Sequence, residues 1–273
     1  MEDSSDNIRF KNGITASFAM SKGEVRAQME DNIDIANFSI SNKQYFAFCV
    51  FDGHCATRKD PHISAVGYAK QNFIPFLQKQ LLENNIRLAI EQTFLLLDHD
   101  LQDEDSGTTV SLLLIVEEPN QKRQVWVANC GDSSVFGFGK NPEKIQKLSV
   151  DHKPHLKSEM KRMQIKSKSN KMKFKVDDGY VVNGDGDALA MTRSLGDSSF
   201  QDFITSKPSI SRIHQQFDVI MVASDGLHDC MSGKHIWEFI KHKNPIGVAK
   251  QLLDYRNDKF EQHDNVSIVI VYL

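Results

Sequence analysis

Tyr45-Phe46-Ala47-Phe48-Cys49-Val50-Phe51 is an apolar run that ends on Asp52-Gly53-His54. Aromatic and β-branched residues in a run of this length predict a strand, and the acid and glycine that follow predict its end. The same reading extends to Thr108 to Val116, Gln124 to Asn129, Asp218 to Ala223 and Asn265 to Tyr272, with Val135 to Phe138 as a sixth strand. Asn129-Cys130-Gly131-Asp132 then reads as a hairpin turn that joins two of these strands into an antiparallel pair.

Helical spacing occupies Ile63 to Leu82, with Pro75 placed to kink it, then Ile86 to Leu101, Leu156 to Ile165, His235 to His242 and Pro245 to Arg256. Strands come in runs, separated by pairs of helices. Simple βαβ alternation therefore fails, and the pattern predicts an α+β fold in which helices cover sheets. Between Lys166 and Val182, five lysines and Asp177-Asp178-Gly179 show little apolar periodicity, which predicts an exposed, mobile loop. Without repeats or a Pro-rich linker, residues 1–273 read as one domain.

The chain has 273 residues, 40% of them hydrophobic, and a formal net charge of -3, so it has material for a core but no global basic face for nucleic acid or membrane. No apolar run approaches the ~20 residues that span a bilayer. The acidic start Met1-Glu2-Asp3-Ser4-Ser5-Asp6 is unlike a signal peptide, which predicts a soluble intracellular protein, cytoplasmic or nuclear. Cys49, Cys55, Cys130 and Cys230 form neither a CxxC pair nor a zinc spacing and read as reduced, mostly buried thiols.

Acids abut the apolar runs repeatedly. Phe51 leads into Asp52, Met221-Val222-Ala223 into Ser224-Asp225-Gly226, and Asp264-Asn265 opens the last strand, with Asp132 and Glu30-Asp31 as further candidates. A single Asp-Gly is a common turn dipeptide; the information is in the repetition. Acids on strand ends are held rigidly enough to converge on a cation. Carboxylates, a carbonyl and waters suit Mg²⁺ or Mn²⁺ better than zinc. Two such ions bridged by one carboxylate would activate a shared water, so the residues alone predict a two-metal hydrolase.

Arg26-Ala27-Gln28-Met29-Glu30-Asp31, Phe51-Asp52-Gly53-His54, Ser106-Gly107-Thr108-Thr109, Asn129-Cys130-Gly131-Asp132-Ser133, Thr192-Arg193-Ser194-Leu195-Gly196-Asp197, Ser224-Asp225-Gly226-Leu227 and Asp264-Asn265 occur in this order. Together they resemble the type 2C protein serine/threonine phosphatases over about residues 18–273. The resemblance implies a four-layer αββα sandwich of two antiparallel sheets flanked by helices, with the metals in a cleft at one end. It implies hydrolysis of phosphoserine and phosphothreonine in phosphoprotein substrates by a monomer.

By that resemblance, Asp52 bridges two Mg²⁺ or Mn²⁺ ions, Glu30 and the Gly53 carbonyl hold one, and Asp225 with Asp264 holds the other. Asp132, with Asp225 and Asp229, matches a weaker third site. Arg26 matches the arginine that grips phosphate, a role suited to a planar guanidinium. His54 matches the general acid, and its ordinary pKa of ~6.5 suits that duty. Asp31 orients water or a neighbouring side chain, and Thr108 and Thr109 pack beneath the site.

The chain departs from the family pattern at Cys55-Ala56, where two glycines are usual, at Ser134 in place of arginine, and at His228 in place of tryptophan. Residues 166–187 take the place of the family's flap. A catalytically silent relative serving as an adaptor is the competing reading, but the complete acid set with Arg26 and His54 favours an enzyme. A metal-dependent nuclease fits neither the order of the motifs nor the charge.

Overall fold

The structure, a computed structural model, describes residues 3–54, 64–139, 144–170, 173–261 and 264–273. The Tyr45–Phe51 run lies within the strand Lys43–His54. Alternate residues of a strand face opposite sides of a sheet, and here both sides are buried. Tyr45, Ala47, Cys49 and Phe51 pack with Phe73, Leu77 and Phe94 of two helices. Phe46, Phe48 and Val50 instead meet Val222, Val269 and Val271 of a second sheet. The run is continuously apolar because it is a central strand covered twice.

Around that strand, the first sheet places Asp31–Ile40 on one edge of Lys43–His54 and Val110–Glu117 on the other, continuing through Gln124–Cys130 to Ser209–Ile213. Short strands Gly107–Thr108 and Leu195–Gly196 extend it beside His54. The second sheet runs Ser4–Arg9, Thr15–Ser21, Val266–Tyr272, Val219–Ala223, Ser134–Phe138, Ile145–Lys147. All pairings in both sheets are antiparallel.

Helices Ala65–Glu83 and Ile86–Asp100 cover the outer face of the first sheet, and Gly233–Ile240 and Val248–Lys259 that of the second. The layers are αββα, as the resemblance implies. Each fully buried Leu, Ile or Phe contributes about 1.5–3 kcal/mol, so three stacked apolar interfaces hold the sheets rigidly under the site. The first two helices start on side-chain caps: Ser64 accepts from the Gly67 amide at 3.4 Å and Asn85 from the Leu88 amide at 3.0 Å. Pro75 lies inside Ala65–Glu83 without ending it.

Two expectations are corrected. Asn129–Asp132 is not a hairpin turn: Gln124–Cys130 already has both edges paired, to Val110–Glu117 and Ser209–Ile213, so Ser134–Phe138 joins Val219–Ala223 in the other sheet. Gly131, at φ +111°, makes this passage between layers.

The Lys166–Val182 stretch is not a loop. The helix Lys157–Asn170 carries Lys166 and Lys168, and Lys175–Asp177, Tyr180–Val182 and Ala188–Leu189 form a three-stranded sheet. This region has its own core of Met163, Val181, Leu189, Met191, Phe200, Phe203 and Ile204. The helix expected over Leu156 to Ile165 runs on to Asn170, and the added turn gave no apolar signal because its buried position, Ser167, is polar.

The strands Ser4–Arg9, Thr15–Ser21, Asp31–Ile40 and Ser209–Ile213 were not predicted, since serine, asparagine and alanine dilute their apolar pattern. Among the described residues, no helix is long and apolar enough to cross a membrane. Cys49 and Cys130 are buried free thiols and Cys230 is a half-buried one, whereas Cys55-Ala56 lies outside the described residues.

Candidate metal centre

Asp52 ends the central strand of one sheet, Asp225 opens the helical turn Asp225–His228 after a central strand of the other, and Asp132 sits in the passage between the sheets. One carboxylate oxygen of each lies within 4.8 Å of the others. Asp31 is paired opposite Asp52 in the sheet and accepts a hydrogen bond from Ser224 Oγ at 2.7 Å. Beneath them, the Asp52 carbonyl accepts from the Thr109 amide at 2.8 Å and from Thr108 Oγ1 at 3.3 Å.

These acids are short of positive charge. Burial, then the charges of Asp31, Asp225 and Asp132, push the Asp52 carboxyl well above the ordinary carboxylate range. Burial with Asp132 and Asp229 raises Asp225 to about 8, and burial raises Asp31 to about 6. Lys153 Nζ, 3.2 Å from Asp132 Oδ2, is the cation paired with the cluster. Among the described residues, the buried atoms Asp132 Oδ1 and Asp31 Oδ1 have no hydrogen-bond partner. Crowded, unsatisfied carboxylates of this kind ionise together only with added cations. Their all-oxygen donor set fits Mg²⁺ or Mn²⁺.

The other metal-ligand candidates border this group. The Glu30 carbonyl accepts from the Gly53 amide at 3.1 Å, and a Cβ on Gly53 would stand 2.5 Å from that oxygen, so only glycine fits there. Asp229 follows the Asp225 turn with its side chain 49% exposed, and its charge still raises Asp225. Asp264 is held by Arg26 through a two-pronged pair, Nε to Oδ1 at 2.7 Å and Nη2 to Oδ2 at 2.9 Å. Burial alone would raise the Asp264 carboxyl, but Arg26 and the Asn265 amide reverse this and hold it below the ordinary range. Asn265 fastens the Arg26–Glu30 segment: its Oδ1 accepts from the Glu30 amide at 2.6 Å, and its Nδ2 donates to the Lys22 carbonyl at 2.7 Å.

His54 is bound through Nε2 to both carboxylate oxygens of Asp197 at 2.9 Å. Burial disfavours the charged ring, but the charge and hydrogen bond of Asp197 outweigh it and raise the His54 pKa. Asp197 itself accepts a short hydrogen bond from Ser194 Oγ. Sequence reasoning gave roles to neither Asp197 nor Lys153. Asp197 closes the Thr192–Asp197 motif, so that motif was the signal, but nothing in it names a partner 143 residues away. Ser134 and His228, two departures from the family pattern, touch each other at 3.1 Å.

Two antiparallel sheets between helix layers, with oxygen donors converging from the strand ends of both, define an αββα protein with a candidate site for hard cations. The sequence pattern of protein phosphatase 2C matches residues 15–262. The chain belongs to the protein phosphatase 2C family, whose members are metal-dependent protein serine/threonine phosphatases. "Probable protein phosphatase 2C 7" of Oryza sativa subsp. japonica is 28% identical over 260 residues, which cover 90% of this chain and 62% of the relative. The chain thus spans less than two thirds of that relative's length.

Among solved structures, a C. elegans sex determining protein matches 95% of this chain and 65% of its own, with a TM-score of 0.77 at 19% identity. Serine-threonine phosphatase 2C from Toxoplasma gondii matches 99% and 98%, with a TM-score of 0.73 at 17% identity. These two likenesses are of fold. Membership in the family implies dependence on Mg²⁺ or Mn²⁺, and the acidic cluster for it is present.

Proposed function

We propose that residues 1–273 form one active phosphatase domain that hydrolyses phosphoserine and phosphothreonine in proteins. The observation that carries this reading is the convergence of Asp52, Asp132 and Asp225 without enough cations of their own. Asp52, Glu30 and the Gly53 carbonyl would hold one ion, and Asp52 with Asp225 and Asp264 would hold a second. Asp132, with Asp225 and Asp229, offers a weaker third site. Divalent cations there supply Lewis acidity that makes water nucleophilic near neutral pH and offsets the charge of a phosphoester.

The chain's own residues do the rest. Asp31 fixes the Ser224 hydroxyl beside Asp52 and orients the water side of the site. Arg26 exchanges Asp264 for substrate phosphate, since its fork pairs equally well with either oxyanion. Asp197 holds the His54 ring at Nε2 and favours its charged form, which leaves Nδ1 to give a proton to the departing serine or threonine oxygen. The protein acts as an intracellular monomer, in cytoplasm or nucleus.

The test is hydrolysis of a phosphothreonine peptide with Mn²⁺ or Mg²⁺, compared with EDTA and with Asp225→Asn. Turnover that requires metal and Asp225 is expected. Turnover no higher than that of Asp225→Asn would instead make the chain a silent adaptor.

A further inference from the structure

The helix Lys157–Asn170 divides its charges between two faces. Its inner face buries Glu159, Met163 and Ser167. Glu159 takes Arg162 at 3.0 Å and Arg193 at 2.5 Å, so Arg162 is engaged inward. Lys166 is also used inside, donating to the Ile204 carbonyl at 2.6 Å. The outer face presents Lys157, Lys161, Ile165 and Lys168, spaced at helical i, i+4, i+8 and i+11, which places them on one stripe.

Along this stripe an apolar residue is set between cations. Ile165 is 59% exposed, and Val176 on the adjoining small sheet is 42% exposed. A groove of about 340 Å³ runs between helix and sheet, lined by Met160, Gln164, Lys168, Lys173, Phe174 and Val176 among others. Among the described residues, Lys157, Lys161, Lys168 and Lys173 form no ion pair. The described residues 157–170 and 173–178 hold six lysines and Arg162 against Glu159, Asp177 and Asp178, with Lys175 paired to Asp177 at 2.8 Å, in a chain whose formal net charge is -3. The rest of the surface is therefore acidic and repels a long polyanion, while this face attracts a short one.

We propose that this face is a docking surface for an acidic segment of the phosphoprotein substrate, one that carries an apolar side chain to fill the groove. The inference rests on the phosphatase reading given above. A protein segment is favoured over RNA or an anionic membrane because the lysines are interleaved with exposed apolar side chains around a groove, and because the rest of the chain carries excess negative charge. The face is joined to the site at the N-terminal end of the helix. Lys153, just before the helix, touches Asp132, and Glu159 clamps Arg193, four residues before the Asp197 that holds His54. From Lys157 to Lys168 the helix rises about 16 Å at 1.5 Å per residue, a distance that about five residues of extended chain cover. Acidic residues several positions from the phosphorylated one would lie along it.

The experiment compares a phosphoserine peptide carrying a distal acidic and leucine-containing segment with one in which that segment is neutral. Both are assayed with Mn²⁺ on the wild-type chain and on the triple variant Lys161→Glu, Lys168→Glu, Lys173→Glu. We expect the KM of the acidic peptide to rise about tenfold in the variant. The neutral peptide and p-nitrophenyl phosphate should be hydrolysed as before, and Ile165→Ala should weaken the acidic peptide about twofold. An unchanged preference between the peptides overturns the proposal.

So does lysine-dependent binding of single-stranded RNA or phosphatidylserine vesicles without any of the acidic peptide, since the face would then serve another partner. If the wild-type chain hydrolyses nothing with Mn²⁺, the phosphatase reading fails separately. Fluorescence anisotropy of the labelled acidic peptide then decides docking alone, with binding lost in the triple variant supporting it and equal binding by both chains overturning it.

Discussion

One buried acid is bound to the Thr192–Arg193 segment and a group of three converges at the strand ends, and the two are neutralised in opposite ways. Glu159 is enclosed by Arg162, Arg193 and the Thr192 hydroxyl, and, although burial opposes it, these partners lower its pKa to about 2. Asp52, Asp132 and Asp225 have one lysine among them, and burial together with the charges of Asp132 and Asp229 raises Asp225 to about 8. A carboxylate that brings its own cations is a structural joint. Carboxylates buried together without them are a socket for ions supplied from solution, and the fold bears their repulsion until those ions arrive.

The largest expected effect separates the two by function. Asp225→Asn should lower Mn²⁺-dependent turnover by more than about 100-fold, while raising the melting temperature of the metal-free protein because one repelling carboxylate is gone. A lower metal-free melting temperature would show that the cluster is a joint after all. The next effect separates them by stability. Glu159→Gln leaves two half-buried guanidinium groups without their counter-charge and should cost about 3 kcal/mol in urea unfolding, the low end for a broken buried pair. A loss below about 1 kcal/mol would place Glu159 among ordinary surface pairs.

pH should sharpen the contrast with opposite signs. The Glu159 carboxyl is lowered from 4.5 to about 2 on folding, so its contribution is present above 4.5 and is lost as pH falls toward 2. The Asp225 carboxyl is raised from 3.8 to about 8, so the metal-free folded form holds the extra proton in between. Metal-free stability should therefore fall as pH rises from about 4 to about 8, and Mn²⁺ should restore more of it at the upper end. Thermal melts across this range, with and without Mn²⁺, read both slopes.

The smallest effect concerns the partly exposed pair at the rim. Arg26→Gln releases Asp264, so Mn²⁺ should bind up to about fivefold more tightly by calorimetry, the range of an exposed ion pair. The same variant should raise the KM for phosphopeptide, as the proposed role of Arg26 in gripping phosphate requires.

Much of this was legible beforehand. The run Tyr45–Phe51, the acids that follow the strands, and the order of the seven motifs were enough to predict layered sheets, a carboxylate site and the family. Periodicity and turn chemistry are local, and they survive in the chain as written. The helix Lys157–Asn170 was truncated at Ile165 for the same reason, because the buried residue of its last turn, Ser167, gives no apolar signal.

What the sequence determined by itself was therefore which residues carry charge, which segments are apolar, and what chemistry oxygen donors of that number permit. Tertiary structure alone decided that Asn129–Asp132 crosses between sheets, because both edges of Gln124–Cys130 were already taken. It also decided that His54 belongs to Asp197, 143 residues on, and Arg26 to Asp264, 238 residues on. Pairings of this kind depend on which strand edges remain open and which charges packing brings within a few ångströms, and neither is written in the spacing of residues along a chain.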